Sequence, residues 1–450
     1  MGKELFGTDG IRGVAGEYPL DPATVYAFGV ALGNDATRRH AGPEILIGAD
    51  TRESGRWIAE LVAGGLASRG ARVRYAGVIT TPGVAYLTRT EHFVAGVMIS
   101  ASHNPYRDNG LKVFGASGFK LPDAEEHDVE QEIFALREKG GALASPPLPS
   151  SLDVDDSLDR KYLEYLVSTV RVRFDGIKLA VDCGNGASYR LAPELFQRLG
   201  AEVVAIGAEP DGRNINLNCG ALHLGAVREA VLANSADFGV AFDGDADRAM
   251  FVSRSGKIVD GDGVLLTAAR ALKAAGRLAG DTVVGTVMAN LGLEKALERE
   301  GIRMVRTPVG DKYVLEEMVR LGAPLGGEQS GHVIFREYAT TGDGLLTALR
   351  VLEIARHAGA GLDELTADLH VYPQKLVNVR VREKKGLTEV PAVAREIRRV
   401  EETFAGAGRV LVRFSGTEPL ARVMVEGPDL EQVESFSASI AEVIRREMGE

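Results

Sequence analysis

The stretch EILIGADTRESGRWIAELVAGGLASRGARVRYAGV, residues 44–78, contains two apolar runs separated by an amphipathic segment. Residues 44–50 form a short apolar run typical of a buried strand, and the apolar residues of 58–66 recur at helical spacing. Gly70 then ends the helix, and residues 73–78 predict the next strand. This order of strand, helix and strand is a βαβ unit, which indicates a protein of the α/β class.

The same order of elements occurs twice more along the chain. Residues 178–206 and residues 282–305 each predict a strand, a helix, a glycine and a second strand. Repetition at intervals of about 100 to 130 residues indicates three similar α/β domains, although unrelated α/β proteins can share this order. Residues 371–450 differ, because strand patterns at 377–381 and around 413–422 alternate with helical patterns. We therefore predict three α/β domains with mixed sheets, followed by a smaller α+β domain.

The domain boundaries follow from changes in composition. The segment GGALASPPLPSS, residues 140–151, is rich in glycine, proline and serine, which is typical of a linker. Weaker changes of pattern occur near residues 254 and 371. We expect four domains, at residues 1–154, 155–254, 255–370 and 371–450.

The composition argues against several classes of function. The chain of 450 residues has a formal net charge of −11 and a pI of about 5.4. Such an acidic surface argues against binding to nucleic acid or to anionic membranes. The two cysteines, Cys183 and Cys219, are too few for a disulfide framework or a zinc site. The sequence shows neither a signal peptide nor an apolar run of about 18 residues, so we expect a cytoplasmic protein.

One candidate reactive group lies in MISASHNPYRDNGLK, residues 98–112. The apolar run 96–99 predicts a strand, and Ser102 follows it beside an imidazole, at the predicted exposed tip of a loop stiffened by a proline. Ligands of open α/β sheets bind just past the carboxyl ends of strands. We interpret the Asn-Gly pair at 109–110 as a turn that positions Lys112. A serine next to a histidine is a weak signal by itself.

Three aspartates after a strand pattern indicate a metal site. Asp243, Asp245 and Asp247 follow the apolar run 238–242. Carboxylates this close repel one another, and a hard divalent cation bound by oxygen atoms would neutralise them. The EF-hand pattern is absent, because Arg248 occupies the position of its glycine. A single Mg²⁺ with room for a phosphate oxygen fits this spacing, and a solvated acidic turn is the alternative.

A third loop carries groups suited to a sugar. The segment GGEQSGH, residues 326–332, combines Glu328, Ser330 and His332. Glu328 and Ser330 could contact adjacent sugar hydroxyls, and His332 could transfer a proton near neutral pH. A structural turn explains this segment equally well.

A fourth loop, RFSGTEP at residues 413–419, favours phosphate binding. Together with a nearby arginine it offers two guanidinium groups, two hydroxyls and a glycine turn, which can hold a phosphate without a basic surface. The segment FGTDGIRG, residues 6–13, adds a glycine-rich turn with Arg12. The serine, metal, sugar and phosphate loops belong to four different predicted domains, so we expect them to line one central cleft. The candidate phosphate ligands are Arg413, Ser415, Gly416, Thr417 and Arg422.

Five motifs occur in one order along the whole chain, namely FGTDGIRG, ISASHNP, DGDADR, GEQSGH and RFSGTEP. In these motifs the chain resembles the α-D-phosphohexomutases from end to end. Further details favour the members that act on an amino sugar. These are the glutamine in GEQSGH, NLGLE at 290–294, VGDKYVLEEM at 309–318 and ATTGDG at 339–344. Two departures from the family pattern are Phe414, where many relatives carry lysine, and Arg107, where an aromatic residue is common.

The resemblance implies a role for each matching residue. Ser102 would be the phosphorylated serine, and its phosphate would bind Mg²⁺ together with the three aspartates Asp243, Asp245 and Asp247. The residues around the transferring phosphoryl group would be Arg12, Lys112, Arg248 and His332. The residues that hold sugar hydroxyls would be Glu328 and Ser330, and those that hold the distal phosphate would be Arg413, Ser415, Gly416, Thr417 and Arg422.

The implied reaction moves phosphate between O6 and O1 of an amino sugar through a bisphosphorylated intermediate. It implies one Mg²⁺ per chain, a hexose 1,6-bisphosphate as activator, a small phosphosugar as substrate and a possible homodimer. Three alternatives stay open at this point. They are the same chemistry on glucose or mannose phosphates, a Mg²⁺-dependent sugar phosphatase, and a phosphosugar sensor without catalysis.

Overall fold

The structure is a computed structural model that describes residues 4–7, 9–139, 151–384, 386, 389–415 and 419–449. Most of the predicted linker at 140–151 lies outside the described residues, as do Gly416 and Thr417.

The first sheet contains the predicted βαβ unit. Its six strands lie in the order β1, β2, β6, β5, β3, β4. Strand β3 runs parallel to β4 and β5, whereas β6 runs antiparallel to β5 and β2, so the sheet is mixed. The elements are β1 (Phe6–Gly7), β2 (Gly10–Val14), α1 (Pro22–Arg39), β3 (Glu44–Ala49), α2 (Gly55–Ala67), β4 (Arg72–Val78), α3 (Thr81–Thr90), β5 (Ala95–Ile99), β6 (Asp108–Gly115) and α4 (Asp123–Lys139).

Helices α1 and α2 pack closely because glycines lie at their contact. A Cβ atom on Gly65 would lie 2.6 Å from the carbonyl oxygen of Tyr26 and 2.7 Å from the amide nitrogen of Val30. Glycine therefore lets the two helix backbones approach within a distance that any side chain would prevent. The buried core beneath them is aliphatic and aromatic, with Phe28 and Ile45 fully buried.

One local prediction in this sheet is wrong. Asn109 and Gly110 lie inside β6 rather than in a turn. The carbonyl of Gly110 accepts a hydrogen bond from the amide of Ser100 (3.1 Å). A Cβ atom on Gly110 would lie 2.6 Å from the carbonyl oxygen of Ser100. The glycine therefore permits close strand packing, and it does not serve a turn.

The second sheet has five strands in the order β11, β10, β9, β7, β8. Strand β7 is parallel to β8 and β9, and β10 is antiparallel to β9 and β11. The predicted apolar run 238–242 is β9, which is buried along its whole length. The elements are α5 (Asp156–Ser168), β7 (Lys178–Asp182), α6 (Leu191–Arg198), β8 (Glu202–Ile206), α7 (Gly225–Asn234), β9 (Phe238–Phe242), β10 (Ala249–Ser253) and β11 (Ile258–Val259).

The third sheet has four strands in the order β13, β12, β14, β15. Strand β14 is parallel to β12 and antiparallel to β15. The elements are α8 (Gly261–Ala274), β12 (Thr282–Thr286), α9 (Leu291–Arg299), β13 (Arg303–Thr307), α10 (Asp311–Leu321), β14 (Leu325–Gly327), β15 (Val333–Phe335), α11 (Gly344–Ala358) and α12 (Leu362–Leu365).

The last part of the chain is the predicted α+β domain. Its three antiparallel strands lie in the order β16, β18, β17, and helices α13 and α14 pack against them around a small apolar core. The elements are β16 (Gln374–Arg380), α13 (Pro391–Phe404), β17 (Arg409–Phe414), β18 (Leu420–Glu426) and α14 (Leu430–Met448).

The chain divides into two compact units, each built from two stretches. The first unit comprises Met1–Val284 and Thr307–Ala367, and the second comprises Gly285–Arg306 and Asp368–Glu450. Among the described helices, none has both the length and the apolar character needed to cross a bilayer.

Polar contacts join the two stretches of the second unit. Arg409 donates to the carbonyl oxygens of Val287 (2.7 Å) and Ala289 (3.0 Å). The buried carboxylate of Glu426 accepts the backbone N–H of Leu291 (2.9 Å) and pairs with Arg409 (2.7 Å). The start of α9 is therefore bound to strands that come more than a hundred residues later in the sequence.

Candidate active site

Ser102 lies just past the carboxyl end of β5 in the first unit. It is 2% exposed, so the predicted exposed loop tip is wrong. Its Oγ donates to Asp243 Oδ2 (2.5 Å) and lies 3.3 Å from His103 Nδ1. Its φ of 52° is left-handed, which is uncommon for a residue with a side chain. The loop thus aims the hydroxyl at the aspartate cluster instead of at solvent.

The aspartate cluster occupies the turn between the antiparallel strands β9 and β10. Asp243, Asp245 and Asp247 are buried, and one ligand oxygen from each lies within 4.8 Å of the others. Burial, together with Asp247 and Asp245, raises the pKa of Asp243 well above its usual value. Asp245 Oδ1 is buried and accepts no hydrogen bond from the described residues. Three crowded carboxylates with a spare oxygen fit a divalent cation.

Lys112 contacts this cluster from β6. Its Nζ lies 2.8 Å from Asp245 Oδ2, 3.4 Å from Asp247 Oδ2 and 3.1 Å from Asp9 Oδ2. Burial lowers the pKa of Lys112, but these carboxylates, led by Asp245, raise it well above its usual value. The side chain is therefore an ammonium ion near neutral pH.

Arg12 and Arg248 bring two more cations to the same place. Arg12 pairs with Asp9, and Arg248 Nε lies 3.9 Å from Asp247 Oδ1. The Nε atoms of both arginines are buried without a hydrogen-bond partner among the described residues. An unpaired buried donor is costly, so these two groups suit an anion such as a phosphoryl group.

His332 is buried between two carboxylates. Its Nδ1 lies 3.6 Å from Asp247 Oδ1, and its Nε2 lies 3.7 Å from Asp311 Oδ2. Burial lowers the pKa of His332, but Asp247 and its other acidic neighbours raise it to about 9. The acidic neighbours therefore favour a charged ring. The backbone N–H of Gly342, however, donates to Nε2 (3.0 Å), so this nitrogen must be unprotonated and the ring neutral. We give this hydrogen bond more weight, and it places the ring proton on Nδ1, beside Asp247.

The sugar loop lies in the same unit. Glu328 Oε1 accepts the backbone N–H of Gly310 (3.1 Å), and Ser330 Oγ donates to Glu328 Oε2 (3.3 Å). Glu328 also contributes to the raised pKa values of Arg248 and His332. The structure therefore places Glu328 close enough to Arg248 and His332 to affect their pKa values, and Ser330 is hydrogen-bonded to Glu328.

Three charged residues were not assigned a role from the sequence. Lys120 pairs with Asp9 and with Asp311 (2.5 Å). Burial opposes the change, but Lys112 and Lys120 lower the pKa of Asp9. Asp9 and Asp311 lie within the motifs FGTDGIRG and VGDKYVLEEM, so their positions in those motifs could have identified them. Lys120 lies outside the motifs, and no sequence signal identifies it.

The second unit contains the predicted phosphate loop. Arg413 on β17 pairs in register with Arg422 on β18, and Arg422 Nη2 donates to Ser415 Oγ (3.5 Å). Burial and the neighbouring Arg422 lower the pKa of Arg413. Lys384 Nζ donates to the carbonyl of Ser415 (2.7 Å). Like charges held side by side suit an anion. The other two predicted ligands, Gly416 and Thr417, lie outside the described residues.

Comparisons with known proteins agree with this fold. Models of the phosphoglucomutase/phosphomannomutase family match the chain as α/β/α domain I at residues 3–140, domain II at 160–256, domain III at 260–372 and the C-terminal domain at 376–443. The chain therefore belongs to the phosphoglucomutase/phosphomannomutase family, as its resemblance to the phosphohexomutases predicts.

Within this family, the chain is similar to proteins named phosphoglucosamine mutase. It is 78% identical to the one from Solibacter usitatus over 450 residues, the full length of both chains. It is 52% identical to the one from Koribacter versatilis over 99% of this chain and 98% of that one. A solved phosphoglucomutase/phosphomannomutase family protein from Burkholderia thailandensis aligns with a TM-score of 0.79 and 25% identity, over 98% of this chain and 97% of that one. The predicted fold class is confirmed.

Proposed function

We propose that the chain is a phosphoglucosamine mutase that interconverts glucosamine 6-phosphate and glucosamine 1-phosphate. The observation that carries the proposal is Ser102 Oγ, 2.5 Å from Asp243, among three buried carboxylates and beside the buried ammonium group of Lys112. The full-length relatives named phosphoglucosamine mutase support the amino sugar as substrate. We expect the product to supply UDP-N-acetylglucosamine and cell-wall precursor synthesis, as the resemblance implies.

In the proposed cycle, phosphorylated Ser102 donates its phosphoryl group to a sugar hydroxyl. The bond between phosphorus and Ser102 Oγ breaks as the bond to the sugar oxygen forms. The sugar hydroxyl loses a proton, and Ser102 Oγ gains one. The bisphosphorylated sugar then reorients, and its other phosphoryl group returns to Ser102 by the reverse transfer. Substrate and product are therefore isomers, with no net release of phosphate.

The residues around Ser102 would mainly position the reactants and neutralise charge. A phosphoserine carries about −1.5 to −2 charge near neutral pH. Lys112 is an ammonium ion because its pKa is raised, and Arg12 and Arg248 each offer a buried Nε donor. His332 is the candidate proton carrier, with its ring orientation fixed by Gly342.

We propose that the metal is Mg²⁺, one per chain, held by Asp243, Asp245, Asp247 and the phosphate on Ser102. The spare Oδ1 of Asp245 and the raised pKa of Asp243 support a cation there. When bound, Mg²⁺ would offset the negative charge of the phosphoryl group during transfer. A hexose 1,6-bisphosphate is the proposed activator, because it can rephosphorylate a Ser102 that has lost its phosphoryl group.

The remaining predicted residues would hold the substrate. Glu328 and Ser330 are proposed to bind sugar hydroxyls. The phosphate that does not react is proposed to bind Arg413, Ser415, Gly416, Thr417 and Arg422. A phosphatase has no need of this second phosphate site, so the paired Arg413 and Arg422 favour a mutase.

A cytoplasmic location is supported by the two buried free thiols, Cys183 and Cys219, which suit a reducing compartment.

The test is a mutase assay with Mg²⁺ and a trace of glucose 1,6-bisphosphate. We expect kcat/KM to be highest for glucosamine 6-phosphate, compared with glucose 6-phosphate and mannose 6-phosphate. Ser102→Ala should abolish turnover, whereas Ser168→Ala should retain it, because the Ser168 hydroxyl bonds within its own helix to the carbonyl of Tyr165 (2.7 Å). A preference for the other sugars would overturn the substrate assignment, and release of inorganic phosphate without isomerisation would indicate a phosphatase.

A further inference from the structure

The backbone of Ser102 is held from two sides by side chains that received no role from the sequence. On its amino side, the N–H of Ser102 donates to Ser100 Oγ (2.9 Å), and Ser100 Oγ donates to Asp50 Oδ2 (2.5 Å). On its carboxyl side, two donors share the same pair of carbonyl acceptors, those of Ser102 and Asn104. This arrangement leaves the residue little freedom to change its backbone angles.

The two donors are Arg52 and Asn216. Arg52 Nη2 lies 3.1 Å from the carbonyl oxygen of Ser102 and 2.6 Å from that of Asn104. Asn216 Nδ2 lies 2.9 Å and 3.2 Å from the same two oxygens. Arg52 is 3% exposed and Asn216 is 8% exposed, and Arg52 pairs with the buried Asp50. Water is thus largely excluded from these hydrogen bonds, which strengthens them.

The two donors come from different parts of the chain. Arg52 follows β3 of the first sheet, and Asn216 lies in the loop between β8 and α7, beside the second sheet. The turn that carries the aspartates also approaches here, since a Cβ atom on Gly244 would lie 2.5 Å from the carbonyl oxygen of Ser102. The serine loop is therefore locked against the loop that carries Asp243.

We propose that Arg52 and Asn216 are positioning residues that hold Ser102 in its left-handed conformation and keep its Oγ aimed at Asp243 in both phosphoryl transfers. A left-handed residue with a side chain persists only where its surroundings hold it. A phosphoryl group on Ser102 adds charge and bulk, which increases the need for this restraint. The expected change in kcat rests on the proposed function, whereas the expected change in the geometry of Ser102 does not.

The chain offers a matched control for Asn216. Asn185 is also left-handed, with φ of 50° against 56° for Asn216, and its Nδ2 also donates to a backbone carbonyl, that of Asn214 (3.3 Å). Asn216→Gly and Asn185→Gly each remove an amide at a backbone angle that glycine adopts without strain. They differ in whether the lost hydrogen bonds hold the serine loop.

We expect Asn216→Gly to lower kcat at least tenfold relative to Asn185→Gly, with KM for glucosamine 6-phosphate changed less than twofold. Tenfold corresponds to about 1.4 kcal/mol in the activation barrier. Arg52→Lys should act in the same direction, because an ammonium cannot reproduce the planar fork of donors. A kcat of Asn216→Gly within twofold of that of Asn185→Gly would overturn the inference.

Crystal structures of the two glycine variants give a readout that does not depend on catalysis. In Asn216→Gly we expect Ser102 to leave the left-handed region or its Oγ to move about 1 Å or more from its place beside Asp243. In Asn185→Gly we expect both to be preserved. Unchanged Ser102 geometry in Asn216→Gly would refute the positioning role. Absence of mutase activity in the unmodified protein would refute the proposed function alone.

Discussion

Gly342→Ala tests whether the position of the His332 ring matters for activity. A Cβ atom on Gly342 would lie 2.4 Å from His332 Nε2 and 2.5 Å and 2.6 Å from two ring carbons. Ordinary contacts of a Cβ atom are 3.4–4 Å. The imidazole must therefore move by about 1 Å, which also disturbs the hydrogen bond from the Gly342 amide.

The expected loss follows from this displacement. A misplacement of about 1 Å costs roughly a hundredfold in rate, and overpacking of a filled site costs about 1–3 kcal/mol of stability. The measurements are kcat and KM with glucosamine 6-phosphate, and the thermal unfolding temperature. Gly115→Ala is the matched control, because its new Cβ atom would meet nothing nearer than Leu121 Cδ2 at 3.8 Å.

Two outcomes would refute this reasoning. If the Gly342→Ala variant is less stable but its kcat is within twofold of the kcat of Gly115→Ala, the ring moves without an effect on turnover. His332 would then have no part in the chemistry. A variant with unchanged stability and unchanged kcat would mean that Gly342 does not pack against the ring as described.

Three further predictions concern metal binding, pH and the N-terminal segment. Asp245→Asn should weaken Mg²⁺ binding at least tenfold in calorimetry, and unchanged affinity would contradict the proposed metal site. Burial raises the pKa of Asp343 to about 6, so the folded state holds its proton more tightly than the unfolded state. The free energy of unfolding should therefore fall by about 3 kcal/mol as the pH rises from about 4 to 6, and Asp343→Asn should abolish that fall in urea titrations. Glu130 accepts the backbone N–H groups of residues 4–6 at 2.7–3.0 Å, so Glu130→Ala should cost about 3 kcal/mol. Glu132→Ala, two residues along the same helix, removes a partly exposed carboxylate that contacts Asn34 and Arg38. It should cost less than about 1 kcal/mol, and equal losses in the two variants would contradict the role of Glu130 in holding residues 4–6.

Much of the fold could be predicted because its signals are local. The apolar run 238–242 matches β9, and the three aspartates that follow it are buried together as their spacing indicates. The mutual repulsion of adjacent carboxylates is visible in sequence, because they are neighbours along the chain. Burial and repulsion thus explain why the strands and the aspartate cluster could be predicted from the sequence.

The missed features depend on residues far apart in sequence. Lys120 and Asp311 are 191 positions apart, and Asn216 is 114 positions from Ser102. The Asn-Gly pair before Lys112 has a turn-like composition, but strand packing on both sides determines its conformation. The domain boundaries, the roles of the individual site residues and the homodimer stay predictions.

The discontinuous second unit has a consequence for synthesis on the ribosome. Val287 and Ala289 leave the ribosome about 120 residues before Arg409, which binds their carbonyl groups. Arg306 can bind the carbonyl of Ala289 (2.8 Å) soon after α9 is made, but the contacts from Arg409 can form only after the intervening stretch has been synthesised. A fragment that begins at residue 371 would lack α9 entirely, and its buried Glu426 would lose the amide of Leu291. Expression of the second unit by itself would thus require a rearranged gene in which residues 285–306 are joined to residues 368–450. The two stretches pack together in the folded protein but are separated in the order of translation.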